Sequence, residues 1–380
     1  MFDAAVIGGG LAGCSAAISL ARQGHTVLLL EAGIYPRPKV CGEFLSPETA
    51  ALFAKIGFTE RLMALNPVAI RTVTITGSGG AAWHGRFPAP ALGISRYALD
   101  KALADYAAAL GVQVCEQSKV TKIDGDLRDG FVLTTQSGQD YQAKAVIAAY
   151  GKRSVLDRVL ERPASGPYLA LKQHFDGPPL ADHIDLYVFD GGYCGMSQVE
   201  DGTTNVCLLV RQDKFQAVSG GGSDAVPRFV AWMGEQNPGL GRWLSQAAPV
   251  YDDWLSIAQV SVAARTPLEG DILLAGDCAG MIAPLAGDGM AMAVQAGILA
   301  ADAVGRFLLH LRDAEATKRE YERIWRRTFA GRLRLGRALQ GVMLQPRLIG
   351  PGLRTMDLIP PLGDWLVRQT RDLRLLEATP

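Results

Sequence analysis

A short apolar strand, a glycine turn, a helix and a second strand follow one another within the first thirty-one residues. The glycines of the turn are Gly8, Gly10 and Gly13, and the second strand ends on Glu31, eighteen residues after Gly13. Gly8 permits the tight turn, Gly10 lets the backbone approach a pyrophosphate, and Gly13 lets the helix pack closely on the strand. The start of the helix attracts phosphate, and a carboxylate at this spacing suits ribose hydroxyls. This order of elements predicts a dinucleotide site; the alternative is a glycine-rich turn in another parallel sheet.

The composition is typical of a soluble enzyme with a well-buried core. The 380 residues include 38 basic and 38 acidic side chains, so no excess of charge indicates nucleic acid as a partner. No apolar run reaches the ~18 residues of a membrane helix, and the chain opens on a strand, without the charged start of a signal peptide. The six cysteines form no Cys-x-x-Cys pair, and no metal site is predicted. We therefore expect reduced thiols and a cytoplasmic location.

Two kinds of segment alternate along the chain. Apolar strands and small-residue helices are typical of a nucleotide-binding α/β domain. Between them lie alternating, β-branched runs with turn residues such as Asp201-Gly202, which are typical of an antiparallel sheet. The predicted units are a discontinuous nucleotide-binding domain at 1–67, 95–165 and 265–316, an inserted antiparallel domain at 68–94 and 166–264, and a helical C-terminal segment at 317–380.

A second glycine-rich stretch lies near residue 280. Gly276-Asp277 follows an apolar strand, and residues 287–290 open a long helix of small residues. Together with the N-terminal glycine turn, this pattern resembles the FAD-dependent p-hydroxybenzoate hydroxylase-like superfamily, which includes aromatic monooxygenases, flavin halogenases and geranylgeranyl reductases. The resemblance covers about residues 1–310. It implies a Rossmann-like FAD-binding domain with an inserted antiparallel substrate sheet.

The resemblance also implies which residues contact FAD. Asp277 would accept hydrogen bonds from the ribitol hydroxyls, and Arg96 would reach the phosphates and ribitol. The backbone of residues 287–290 would face the flavin pyrimidine edge, where a helix N-terminus stabilises negative charge on the reduced flavin. Val120 falls where the adenine-contacting backbone lies. The residues expected to bind FAD are Gly8, Gly10, Leu11, Ala12, Gly13, Glu31, Ala32, Cys41, Gly42, Arg96, Val120, Gly151, Asp277, Pro284, Gly287, Gly289 and Met290.

Short motifs distinguish the branches of the superfamily. Cys41-Gly42-Glu43 resembles the reductase and halogenase branches, and so does the stretch 192–195, where Gly195 replaces the tryptophan of the reductases. The Trp-x-Trp-x-x-Pro signature and the active-site lysine of halogenases are not in place, which disfavours halogenation. Aromatic hydroxylases carry Asp-Gly after the central strand, whereas this chain has Tyr150-Gly151. This substitution argues against fast direct reduction by NAD(P)H, and a separate flavin reductase is the other expected electron donor.

The antiparallel sheet is expected to cover the flavin and to supply the substrate site. His174 is a candidate general base or substrate-binding group, and Tyr193 is a candidate catalytic pocket residue. A buried structural histidine and a core tyrosine are the alternatives. Glu43 is either an acid near the flavin or the partner of Arg37 or Lys39 in a loop salt bridge. Further side chains expected to bind substrate are Lys172, Tyr187 and Asn205.

The C-terminal segment combines basic and apolar residues. Residues 318–337 contain eight basic and two acidic side chains. An amphipathic basic helix would lie on an anionic membrane or dock an acidic carrier protein. The alternative is the solvated face of a helix that packs on the FAD domain.

These features predict a FAD-dependent oxidoreductase for a lipophilic small molecule, which is aromatic, polyketide-like or isoprenoid and either free or carrier-bound. Monooxygenation is the preferred reaction, because it is the commonest outcome in the superfamily. A flavin-dependent ene reductase or dehydrogenase of the geranylgeranyl reductase type is the first alternative. A flavin-binding partner protein without turnover is the second.

Overall fold

The computed structural model describes residues 1–152, 156, 166–260, 265–280, 287–369, 371 and 375. Within these ranges the strands are β1 (Phe2–Ile7), β2 (Val27–Leu30), β3 (Phe44–Leu45), β4 (Val68–Gly77), β5 (Ala82–Gly93), β6 (Gln113–Cys115), β7 (Val120–Asp126), β8 (Gly130–Thr135), β9 (Asp140–Ala148), β10 (Tyr168–Asp176), β11 (His183–Phe189), β12 (Gly192–Gln198), β13 (Thr204–Arg211), β14 (Ala248–Pro249), β15 (Leu255–Val260), β16 (Leu268–Glu269) and β17 (Ile272–Leu274). The helices are α1 (Leu11–Arg22), α2 (Thr49–Lys55), α3 (Thr59–Ala64), α4 (Arg96–Ala109), α5 (Gln212–Ser219), α6 (Ala225–Gln236), α7 (Pro238–Leu244), α8 (Gly289–Leu308), α9 (Ala314–Met343), α10 (Pro346–Leu358) and α11 (Pro360–Gln369).

The first sheet is built around β1. Its strand order is β16-β17-β9-β1-β2-β6, with β8 paired to β9 and β7 paired to β8. Strands β17, β9, β1, β2 and β6 run parallel, as apolar strands in this kind of sheet do. Helix α1 packs so tightly on α8 that a Cβ on Gly297 would lie 2.1 Å from the Ala12 carbonyl oxygen. This packing brings the two glycine-rich stretches of the sequence together.

The second sheet has the order β14-β10-β13-β12-β11-β4-β5-β3, with β15 also paired to β10. Its neighbouring strands are antiparallel, except that β11 and β4 run parallel. The parallel pair departs from the predicted antiparallel sheet because a long crossover, not a hairpin, separates these two strands. The predicted fold class, a Rossmann-like domain with an inserted sheet and a helical C-terminal segment, is confirmed. The domain boundaries stay a prediction.

Different parts of the chain cover the two faces of the second sheet. Along β10 the side chains alternate, so Leu171 and Phe175 point to one face, here called the outer face, and Ala170 to the other, the inner face. Helix α6 covers the outer face through Phe229. Helix α10 covers the inner face through Ile349. Both faces are therefore buried, and only the inner one is lined by the C-terminal segment.

Helix α9 joins the C-terminal segment to the first sheet. It begins at Asp313, whose side chain accepts a hydrogen bond from the Ala316 N–H at 2.7 Å. Tyr321, Trp325 and Phe329 recur every fourth residue and are buried. One stripe of the predicted basic helix is thus packed into the protein.

Helix α8 is, within the described part of the chain, the one helix long and apolar enough to cross a membrane by length and composition. Of its apolar window, 67% is buried inside the protein. It packs between α1 and α9, the environment of a core helix.

Candidate functional site

The glycine turn after β1 has the shape that a dinucleotide requires. Gly8 has φ +98°, and a Cβ there would lie 2.5 Å from the Ala149 carbonyl oxygen. A Cβ on Gly13 would lie 1.8 Å from the Gly8 carbonyl oxygen. Gly10 differs, because its φ is −86° and its absent side chain would face only the Lys39 Nζ and the Arg96 guanidinium. The space beside Gly10 is therefore open to a ligand and bordered by two cations.

These two cations share one buried carboxylate. Arg96 binds Asp100 through two hydrogen bonds of 2.7 and 2.8 Å, and the Lys39 Nζ lies 3.1 Å from the same carboxylate. Burial lowers the pKa of Lys39, and the Asp100 charge opposes that shift. One positive charge is left over beside the start of α1, where no described side chain caps the free N–H groups. This arrangement suits the diphosphate of a dinucleotide.

The buried Glu31 braces the glycine turn. Its carboxylate accepts hydrogen bonds from the Gly9 N–H at 2.8 Å, the Gly33 N–H at 2.7 Å and Arg37 at 2.5 Å. Burial alone would raise the pKa of Glu31, but Lys39 and Arg37 hold it below its usual range. The carboxylate is therefore charged as well as structurally engaged. Its predicted contact with ribose hydroxyls stays a prediction.

The second glycine-rich stretch adjoins this turn. Gly276 and Asp277 form a single 3-10 turn directly after β17, and a Cβ on Gly276 would lie 2.9 Å from the Ala12 Cβ. The half-buried Asp277 side chain makes no hydrogen bond within the described ranges and lines a recess shared with Gly289 and Trp325. The Asp277 carboxylate can therefore accept hydrogen bonds from a ligand that carries hydroxyl groups, which is the role predicted for it toward the ribitol chain of FAD.

The remaining predicted FAD contacts lie around these two turns. Leu11 opens α1, Val120 opens β7, and Met290 lies in the first turn of α8. Gly151 has φ +86° beside the Gly8 turn, and Gly287 has φ +69° just before α8. Ala32, Cys41 and Gly42 lie in the segment between β2 and β3. Pro284 is outside the described residues. The individual contacts stay predictions.

A buried ionic cluster joins the segment after Lys39 to the inner face of the second sheet. The carboxylate of Glu43, fully buried, accepts hydrogen bonds from the Arg96 N–H at 2.7 Å, from Lys172 and, at 2.6 Å, from His174 Nε2 when that nitrogen is protonated. Burial alone would raise the pKa of Glu43, but His174 and Lys172 lower it. The predicted pairing of Glu43 with Arg37 or Lys39 is wrong, since those cations bind Glu31 and Asp100 instead.

Glu43 also adopts an uncommon backbone conformation, with φ +52°. A non-glycine residue in this region costs of order 1 kcal/mol and persists only where its surroundings hold it. The three hydrogen bonds to its side chain supply that hold. Strain of this kind is concentrated at functional sites.

A polar row crosses the inner face beside the cluster. His174, Asn205 and Ser197 stand opposite one another on β10, β13 and β12. The Asn205 amide donates to the Cys41 carbonyl oxygen at 3.1 Å. In the described part of the chain, the buried Asn205 Oδ1 and Ser197 Oγ have no hydrogen-bond partner. Polar atoms left open in a buried row indicate a bound water or ligand.

The structure separates the predicted substrate residues into two groups. Lys172, His174 and Asn205 meet at the Glu43 cluster, and Tyr193 lies on the same inner face among apolar side chains. Tyr187 points to the outer face, where it packs with the residues under α6 and α7. Its predicted place in the substrate site is therefore corrected, because alternation along β11 turns it away from the FAD-binding domain.

The inner face itself is a mostly apolar surface beside the ionic cluster. Its buried members come from strands across the whole sheet and from α10, and they are Phe44, Ile70, Val73, Trp83, Phe87, Ala91, Ala170, Val188, Tyr193, Leu209, Val260, Ile349 and Leu353. Arg371 stacks over Phe44 and Phe87 at 5.7 and 5.6 Å from their ring centres. An apolar wall with a few convergent polar groups is the usual make-up of a small-molecule pocket.

A second buried ionic cluster fixes the start of α8. Asp288 binds Arg371 and, at 3.1 Å, Arg332 of α9, while Arg332 also binds Glu48 at 3.1 Å. Burial and the neighbouring Asp288 raise the pKa of Glu48. Arg332 is not among the residues predicted for the site, although it follows the buried Phe329 by three residues and so shares its helical face.

The geometry agrees with comparisons to known proteins. A family model described as FAD binding domain matches residues 1–183. Residues 1–183, just under half of the chain, therefore match a FAD-binding domain family. The residues around Gly10 and Asp277 fit the cofactor, because they offer a cation-bordered phosphate space and a carboxylate that lines a recess.

Curated relatives include two kinds of reductase. The menaquinone reductase of Mycobacterium tuberculosis (strain H37Rv) is 29% identical over 222 residues, which are 54% of this chain and 54% of that protein. The digeranylgeranylglycerophospholipid reductase of Methanocaldococcus jannaschii is 26% identical over 342 residues, 86% of this chain and 82% of that protein. The match to the first relative thus spans about half its length.

A solved structure shows the same fold. The myxobacterial chondrochloren halogenase, a FAD-dependent halogenase, is 25% identical, with a TM-score of 0.77 over 90% of this chain and 83% of that one. The relatives therefore include both of the branches that Cys41-Gly42-Glu43 indicated.

Proposed function

We propose that the protein is a FAD-dependent oxidoreductase that reduces a carbon–carbon double bond of a lipophilic, isoprenoid-type molecule. Curated relatives of this chain include proteins named as reductases of menaquinone and of a digeranylgeranyl lipid, which supports reduction over the monooxygenation preferred from the sequence. The observation that carries the proposal is the inner face, where an apolar surface ends at the buried Glu43 cluster. Such a site accepts an alkyl chain and supplies polar groups at one end.

The bound flavin would supply hydride, and the chain supplies the rest of the environment. Trp83, Phe87 and Ile349 would exclude water from an apolar substrate. The N-terminus of α8, fixed by Asp288, would stabilise negative charge on the reduced cofactor. Lys172 and Glu43 would hold a proton at the polar end of the pocket.

The pair Tyr150-Gly151, which stands where aromatic hydroxylases carry Asp-Gly, bears on the choice of electron donor. The carboxylate that aromatic hydroxylases carry at this loop is absent, so we propose that reduction by NADPH or NADH alone is slow and that a separate reductase supplies the electrons.

We also propose that the protein is cytoplasmic and binds an anionic membrane through its C-terminal helices. Arg319, Arg323 and Arg327 are exposed on α9, and Leu358 and Trp365 are 82% and 53% exposed after it. Basic and apolar side chains together suit an anionic lipid surface. Flotation with vesicles of phosphatidylglycerol tests this, because Trp365→Ser should weaken binding and neutral vesicles should bind less. Binding only to an acidic carrier protein would contradict it.

The reaction is tested with the holoprotein reduced anaerobically. Menaquinone and a geranylgeranyl lipid are added in separate experiments. Reoxidation of the flavin is followed by absorbance, and the masses of the products are measured by mass spectrometry. The expected product gains two hydrogens without oxygen and, for menaquinone, keeps them after any quinol has been reoxidised in air, which assigns them to a double bond of the isoprenoid chain. A product that gains one oxygen atom, formed only in air, would establish monooxygenation instead.

A further inference from the structure

A line of hydrogen-bonding side chains runs from the protein surface to the Glu43 cluster. Asp201 is exposed in the turn between β12 and β13 and accepts a hydrogen bond from the Thr203 hydroxyl at 2.6 Å. The same hydroxyl lies 3.4 Å from His174 Nδ1. On the other side of the imidazole, Nε2 lies 2.6 Å from Glu43 Oε2, and Glu43 Oε1 binds Lys172.

Burial increases steadily along this line. Asp201 is exposed, Thr203 is half-buried, and His174, Glu43 and Lys172 are at most 2% exposed. The Tyr251 ring, 5.7 Å from that of His174, packs against the imidazole. A buried site that consumes protons needs a route for them from solvent, and this line of side chains offers one.

Inward proton transfer requires the Thr203 hydroxyl to reorient. It donates to Asp201 and, by rotating about its C–O bond, can instead donate to an unprotonated His174 Nδ1 while its oxygen takes up a proton from solvent or from protonated Asp201. A histidine bonded at both ring nitrogens can take a proton on one and release a proton from the other. Glu43, which contacts both His174 and Lys172, joins the imidazole to the ammonium group.

The inner end of the line reaches the apolar surface. Along β10, Ala170, Lys172 and His174 share the inner face, with His174 at the surface end. Ala170 stands opposite Leu209, and both belong to the apolar inner face. Lys172 is therefore the charged side chain of β10 that adjoins the apolar inner face.

We propose that Thr203, His174 and Glu43 conduct protons from solvent to Lys172, which is the proton donor in the reduction; this rests on the proposed function. The π bond of the substrate alkene breaks as two C–H bonds form. One carbon receives hydride from the reduced flavin, and the other receives a proton from the Lys172 ammonium. The flavin is oxidised by two electrons, and Lys172 regains its proton through Glu43 and His174. In this scheme Thr203, His174 and Glu43 are positioning and conducting residues.

The test compares Thr203→Val with a matched control. Valine keeps the shape of threonine and removes the hydroxyl between Asp201 and His174. Thr134→Val removes an exposed hydroxyl that also donates to an aspartate, Asp140, at 2.7 Å in the other sheet. Two measurements are made on each holoprotein. The first is exchange of the His174 ring N–H with solvent, by NMR of 15N-histidine-labelled protein. The second is repeated reoxidation of the flavin by excess alkene substrate over many turnovers, with dithionite as the electron source, in H2O and D2O, because each turnover after the first requires Lys172 to be protonated again.

Thr203→Val should slow the ring exchange and slow reoxidation by about tenfold or more, with a larger solvent isotope effect and unchanged FAD affinity. Thr134→Val should match the wild type. His174→Ala should lose about 100-fold in reoxidation rate and recover part of it with added imidazole.

The outcomes separate the two proposals. Equal ring exchange in Thr203→Val and wild type would overturn the proton line, whatever reaction the protein catalyses. Slower exchange with wild-type reoxidation by substrate would overturn the role of the line in reduction. Slower exchange in a protein that reduces no alkene would overturn the proposed function and leave the line standing.

Discussion

Two glycines of the turn after β1 should respond to the same substitution in opposite ways. Gly13→Ala places a Cβ 1.8 Å from the Gly8 carbonyl oxygen, which is backbone and cannot rotate away. Gly10→Ala places a Cβ 3.3 Å from the end of the flexible Lys39 side chain, at an ordinary φ of −86°. The first change strains the folded protein, and the second fills the space beside Lys39 and Arg96 in which we expect the FAD diphosphate to bind.

The magnitudes follow from these distances. Gly13→Ala forces α1 and β1 apart by about 1 Å or more, and overpacking of this kind costs about 3 kcal/mol of unfolding free energy or more. Gly10→Ala should change the stability of the apoprotein by less than about 1 kcal/mol. It should weaken FAD binding by about 100-fold, because two charge-assisted hydrogen bonds to the diphosphate are lost.

The assay measures stability and affinity on the same preparations. Urea unfolding of the apoproteins gives the free energies, and quenching of flavin fluorescence gives the dissociation constants. Gly79→Ala is the matched control, since its Cβ meets no atom within 4 Å. Equal stability of the Gly10 and Gly13 variants, or wild-type FAD affinity in Gly10→Ala, would refute this account of the turn.

Three further predictions follow from the buried charges and the donor loop. Because the pKa of Glu48 is raised in the folded protein, the wild type loses stability as the pH rises above about 4.3, the usual pKa of a glutamate. The Tm of Glu48→Gln minus that of the wild type should therefore be more positive at pH 8 than at pH 5. Glu31→Ala should cost about 2–4 kcal/mol in urea unfolding of the apoprotein, because Gly9 and Gly33 lose their acceptor, and it should also weaken FAD binding. Stopped-flow mixing with NADPH should show flavin reduction well below one turnover per second in the wild type, and Tyr150→Asp should accelerate it; fast wild-type reduction would contradict the need for a separate donor.

The cofactor turn was predictable because its constraints are local. Gly8, Gly10 and Gly13 act within six residues of one another, so their spacing alone defines the geometry. The Glu43 cluster was not, because its partners Lys172 and His174 lie 129 and 131 residues away. A local sequence pattern does not predict which distant strand a loop will contact in the folded protein.

The misplaced Tyr187 has a different cause. Alternation reveals the buried face of a strand only when the other face is solvated. Here α6 covers the outer face and α10 the inner one, so apolar residues occupy both sides of β11. The period of two holds along β11, but which set of residues lies on the inner face depends on the helices that pack on each side.

The C-terminal helix shows how one segment can serve two roles. A count of basic residues in 318–337 treats every arginine as surface charge, but Arg332 is buried in contact with Asp288 and Glu48. Removing one member of such a cluster leaves an unpaired buried charge, which typically costs about 3–5 kcal/mol. The position of α9 is therefore coupled to that of the loop that opens α8. Because residues 287–290 are also predicted to face the flavin, we expect a displacement of α9 to reach the proposed cofactor site through the Arg332–Asp288 ion pair.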